Sequence, residues 1–245
     1  MKAFLVITSL LILIFDGVLF FTPDKTGDIN FVFNLAYSLI FILGSVIAIT
    51  KLKKYPQDTN MKSSLVFYAL GLIFYALGLF VWTYYNLVLR SPIPYPSLAD
   101  VAFLLYYPGV ILGTFFLVNS FGGKFTPKLI VEGSLTFLVF FAILYFFLNQ
   151  TSMNSGVSFG ANFLNILYPL FDAFLTALAI TILRTEKGIA DHPNILYFVF
   201  SFIILAVADT VFSYRSANNL YWNGDISDLL FAVSGFLTAW GVLSL

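Results

Sequence analysis

Eight apolar stretches follow one another along this chain with only short connections between them: residues 3–21, 31–50, 64–89, 98–121, 128–148, 160–183, 194–214 and 226–245. A helix rises about 1.5 Å per residue and a hydrocarbon core is about 30 Å thick, so roughly 20 apolar residues suffice for one passage. Inside lipid every backbone amide must find its partner within its own segment or a closed barrel. Runs of this length therefore predict an all-α, polytopic membrane bundle of eight transmembrane helices, with residues 1–245 forming one transmembrane domain. Charged residues make up only 10% of the chain, against about 25% in ordinary soluble domains. No connection could hold a soluble domain of even about 50 residues, so function is expected inside the bundle or on its rims. The first stretch is read as a spanning helix because no A-x-A-like cleavage site follows in "FDGVLFFTPDKTG".

Eight passages put both termini and the connections after helices 2, 4 and 6 on one side. That side carries Lys2, Lys51, Lys53, Lys54, Lys62, Lys124, Lys128, Arg184 and Lys187, and the other carries Lys25, Arg90 and Arg215. By the positive-inside rule both termini are expected in the cytoplasm, and the protein in the plasma membrane. The triplet Asn149 to Thr151, a glycosylation sequon, falls on the opposite, outer side.

On the outer side, between helices 3 and 4, stands "SPIPYPSLAD". Prolines at 92, 94 and 96 fix the backbone dihedral and remove three amide donors, so this link is expected to stay extended. Ser97 with Asp100 has the S-x-x-D form of a capping box, and Asp225 with Asp228 repeats the device before helix 8. Asp100 and Asp228 serve as helix caps or as pocket groups equally well by this reading.

Other acids lie within the spans, where capping does not account for them: Asp16 in helix 1, Asp172 near the middle of helix 6, and Asp209 in the outer part of helix 7. A carboxylate at the bilayer centre costs roughly 2.5–3.5 kcal/mol on insertion scales, so each needs a partner, a proton or water. Asp16, Asp209 and Asp228 are expected in the outer half near Asp100, with Asp172 deeper and with Arg90 and Arg215 as the available counter-ions. Asn162, Asn165, Pro169, Asp172 and Thr176 recur at three- and four-residue steps, drawing a polar stripe expected to face a cavity. Asn34, Ser38 and Ser45 make a thinner stripe on helix 2. Tyr68, Gly71, Tyr75, Gly78, Trp82 and Tyr85 on helix 3 read first as packing, because glycines at this spacing allow helices to approach closely. Pro108 and Pro169 are expected to kink their helices and make room for a pocket.

The single histidine, His192, lies in the cytoplasmic connection "RTEKGIADHPN", and the chain has no cysteine. Haem ligation, histidine-based zinc sites, serine chemistry with a histidine base, disulfides and thiolate chemistry thus have no groups within the membrane. There is no G-x-G-D motif, no phosphate-binding glycine loop and no lysine deep in a late helix. No enzymatic activity, metal, cofactor or nucleic-acid partner is expected.

Three segments, "PYPSLADVAFLLYYP", "LYPLFDAFL" and "ADTVFSYRSANNLYWNGDISDLLF", resemble the eight-helix N-terminal membrane domains of bacterial GGDEF and GGDEF/EAL cyclic-di-GMP signalling proteins. In those domains a P-S-x-A-D segment opens a helix ending near Y-P, a Y-P-x-x-D follows, and an A-D-x-x-F helix leads to a G-D-x-x-D-like turn. The matching positions are Pro96, Ser97, Ala99, Asp100, Tyr107, Pro108, Tyr168, Pro169, Asp172, Ala208, Asp209, Phe212, Gly224, Asp225 and Asp228. The resemblance spans helices 3 to 8 and implies a sensor of an unidentified stimulus. It departs at Leu245, where neither a coiled-coil linker nor a catalytic GGDEF domain follows.

The expectation is a membrane sensor or ligand-binding module with an outward polar pocket formed by Asp16, Arg90, Asp100, Tyr107, Asn165, Asp172, Asp209, Arg215 and Asp228. Its partners would be the bilayer, a small-molecule or ion ligand, and a cytoplasmic signalling partner or a second copy. A small transporter or proton-coupled carrier using Asp172 is the second reading, and a structural membrane subunit the third.

Overall fold

A computed structural model describes residues 1–152, 158–185 and 192–245, with side chains described for all of these except 148–152. The sequon side chains and Lys187 lie outside the described residues. The helices are α1 (Lys2–Phe21), α2 (Asp28–Lys51), α3 (Thr59–Thr83), α4 (Leu98–Ser120), α5 (Pro127–Ser152), α6 (Phe159–Leu183), α7 (Ile195–Ala217) and α8 (Ile226–Ser244). All eight are long and apolar enough to span a membrane, and the described residues contain no strand.

Local chemistry sets where these helices begin. Asp58 accepts from the Met61 amide before α3, Ser158 from Ala161 before α6, and Asp225 from Ser227 before α8, each satisfying an amide that the first turn leaves open. Ser97 and Asp100 form the reciprocal capping box at α4. The sequence places Pro108 and Pro169 inside spans, and both lie within unbroken helices.

Six helices close a ring in the order α2, α3, α4, α6, α7, α8 and back to α2, with α4 against α6 its thinnest seam. On the flanks, α1 leans on α2 and α8, while α5 leans on α6 and α7; both leave most of their length exposed. The tightest pairing is α3 with α4: a Cβ on Gly109 would lie 2.6 Å from the Gly71 backbone, so only glycine lets the two axes come this near.

The two ends of the ring are held by different chemistry. At one, Lys54 Nζ donates to the Leu245 carbonyl at 2.9 Å, Asn194 to that of Ser244 at 3.0 Å, and Lys2 lies over the Trp240 ring. Both termini therefore share this end. At the other, Arg90 pairs with Asp28, Lys25 lies 4.3 Å from the Trp222 ring centre, and Asn30 donates to the Asn223 carbonyl. The proline-rich link belongs to this second end. It reaches from α3 to α4 and leans across to α6, where Tyr95 donates to Asn165 Oδ1 at 2.8 Å and Pro96 packs on Gly160.

Candidate functional site

Inside the ring, in the half that ends at the proline-rich link, lies a cavity of about 500 Å³. Every ring helix contributes to its wall: Asn34 and Tyr37 from α2, Tyr75 and Trp82 from α3, Asp100 and Tyr107 from α4, Asn165 and Tyr168 from α6, Asp209 and Phe212 from α7, Asp228 and Phe231 from α8. Ile93, Pro94, Tyr95 and Tyr221 close it from the connecting segments.

Each carboxyl is fixed by a tyrosine from another element. Asp100 Oδ2 accepts the Ser97 amide at 2.7 Å and its hydroxyl at 2.8 Å, while Oδ1 accepts the Tyr168 hydroxyl across the α4–α6 seam at 3.0 Å. Capping and cavity lining are thus both roles of this one side chain. Tyr107 on α4 stands between Asp172 Oδ1 at 2.8 Å and Asp209 Oδ2 at 3.0 Å, tying α4 to α6 and α7. Asp228 Oδ2 takes the Gly224 amide at 2.6 Å and the Tyr221 hydroxyl at 3.1 Å, and the Tyr37 hydroxyl approaches Oδ1 at 3.4 Å. Gly224 has φ +94, a left-handed conformation that turns this amide toward Asp228 and that a side chain would strain. Burial, with the adjacent Asp228 carboxyl, pushes the Tyr221 phenol well above its ordinary value, and burial beside Asp100 raises Tyr95. Both phenols therefore keep the proton they donate.

Asp100, Tyr107, Asn165, Asp209 and Asp228 meet here as the sequence suggests. Asp172 is 2% exposed and sits behind the wall, joined to the cavity through Tyr107. Three expected residues are elsewhere. Asp16 is on the flanking helix α1, half-buried outside the ring, with Oδ1 lacking a hydrogen-bond partner. Arg90 is engaged by Asp28 on the exposed rim. Arg215 donates to Asp225 Oδ2 and to the Leu220 carbonyl, bracing the α7–α8 turn. Arg215 thus pairs with a carboxylate of its own connection and Arg90 with one at the start of α2, and none of the lining residues is Lys, Arg or His.

The aromatic wall goes beyond the expected set. Trp82 Nε1 donates to Asn223 Oδ1 at 2.7 Å, and its ring meets Phe212 and Tyr221 edge to face. The α3 stripe carried this signal: its glycines pack on α4, as expected, while Tyr75 and Trp82 face the cavity. Tyr37, Tyr95 and Tyr221 had no comparable periodic mark. On α6, Thr176 Oγ1 is buried without a partner below Asp172. Comparisons of the chain with family models, curated proteins and solved structures return no match.

Proposed function

We propose that this protein is an integral membrane sensor or ligand-binding module of the plasma membrane, with the acid-lined cavity facing outward and both termini in the cytoplasm. The observation that carries this reading is the convergence of all six ring helices on one cavity. A ligand touching them all can favour one packing of the ring over another, and a cytoplasmic partner or a second copy would read that difference at the far end. The resemblance to the membrane domains of GGDEF proteins supports the reading: of its matching residues, Asp100, Tyr107, Tyr168, Asp209, Phe212 and Asp228 are all in the cavity wall. The role proposed is binding rather than catalysis.

Screening small molecules for a shift in thermal midpoint of the purified parent protein and of Asp209→Asn tests this. Compounds that stabilise the parent and lose their effect in the variant fit the proposal; equal responses in both contradict it. The link from the cavity through Tyr107 to the sealed Asp172 favours a second reading, a proton-coupled carrier. Solute flux into proteoliposomes that follows an imposed pH gradient would establish the carrier instead.

A further inference from the structure

Resting on the reading of this cavity as a ligand site, we propose that the ligand is a small organic ammonium compound. Its cationic nitrogen is drawn to the carboxyls of Asp100, Asp209 and Asp228, and its apolar part lies against Trp82, Phe212 and Phe231.

Charge is the first argument. Three carboxyl groups face the cavity and a fourth, Asp172, lies one hydrogen bond behind it, while the lining has no basic side chain. Among the described residues, the three cations of this end are committed elsewhere. Arg90 is held by Asp28, Arg215 by Asp225, and Lys25 by the Leu19 and Phe20 carbonyls at 2.7 and 2.9 Å and by the Trp222 ring. An occupant supplying positive charge would meet carboxyl oxygens that no internal cation already pairs, and in a low-dielectric site such a charge-assisted contact is strong.

The second argument is the chemistry of the wall. Besides the acids, the surface is mostly aromatic, and ring faces attract ammonium groups by about 0.5–2 kcal/mol each, more when water is excluded. Among the described residues no three His, Cys, Asp or Glu side chains come close enough to hold a metal ion. Acids too dispersed for a bare metal ion, set among rings, suit a bulkier cation whose charge is wrapped in carbon. A volume of about 500 Å³ falls within the range of roughly 300–1,000 Å³ usual for small-molecule sites. A phospholipid amine carries the same ammonium, but its phosphate would follow within a few bonds into a wall of carboxyls, so a free amine fits better.

The test uses the purified protein in nanodiscs and matched probes: 2-phenylethylamine and choline as cations, 2-phenylethanol as the neutral analogue, phenylacetate as the anion. We expect both cations to raise the thermal midpoint and to change tryptophan fluorescence, with the alcohol about tenfold weaker or more and the acid silent. Asp209→Asn and Trp82→Leu should each weaken the amines by about tenfold. The probe comparison on the parent stands whether or not the variants fold. Binding of the alcohol or acid in preference to the amines overturns the cation assignment and leaves the binding-module reading intact. Silence of every probe at millimolar concentration, alongside Asp209-dependent hits in an unbiased screen, does the same. Silence in both overturns the two together. Repeating the titration with and without phosphatidylethanolamine in phosphatidylglycerol nanodiscs separates the sources: unchanged affinity supports a free amine, and competition by the lipid places a headgroup ammonium in the same site.

Discussion

A tyrosine hydroxyl meets every carboxyl at this site, and the pairing has a physical reason. A carboxyl moved from water into the membrane loses several hydrogen bonds, and a phenol can return one while filling space as an aromatic ring. Lysine or arginine could return a charge as well, but would occupy the carboxyl oxygens that the proposed cationic ligand would use. The cost appears at alkaline pH. For Tyr221, whose phenol is held above the ordinary value of 10.0, the folded and unfolded chains are equally protonated below pH 10. Above it the unfolded chain releases the proton first, so stability falls as pH rises. We predict that the thermal midpoint declines above about pH 10 and that Tyr221→Phe makes the decline shallower, as a pH series of melting curves will show. Asp209→Asn should leave the fold in place, because the hydroxyl that Tyr107 donates to Asp209 Oδ2 can also be accepted by an amide oxygen; near-parent circular dichroism and melting are expected.

Helices, taken one at a time, divide into those whose faces could be read and those whose faces could not. All eight were legible, with most ends within about four residues and those of α3 five and six residues off, because length and hydropathy alone determine a span. The capping box at Ser97 and the cap at Asp225 were legible too, since a cap is a local pattern. On α3, two functions share one stripe: glycine for approach and aromatic for lining, a mixture that periodicity cannot separate. Glycines at a close helix approach and glycines away from one predict different mutational costs. Gly109→Ala, whose methyl would press on the Gly71 backbone, should destabilise by about 1–3 kcal/mol. Gly17→Ala on α1, where a methyl would meet nothing within 4 Å, should be neutral or stabilise by up to about 1 kcal/mol. Unfolding in a denaturing detergent series measures both.

For the whole molecule, the misplaced residues explain what a sequence conceals. Depth along the membrane follows from topology, and by depth Asp16, Arg90 and Arg215 belong beside the cavity. Position around the ring does not follow from depth: α1 lies outside the ring, and the two arginines are taken by Asp28 and Asp225 before they reach it. What remains is a six-helix ring with an acidic, aromatic hollow near one end, and the account stands or falls on that hollow being hydrated and open to the outside. The chain has no cysteine, so single cysteines report cleanly. Ser213 lies in the cavity wall of α7, and Val207, on the same helix, faces lipid. Labelling of Ser213→Cys and Val207→Cys in intact cells with a membrane-impermeant maleimide is the most direct measurement. Rapid modification at 213, with 207 unreactive, is predicted; an unreactive 213 that becomes labelled only after denaturation would contradict the outward, water-filled cavity.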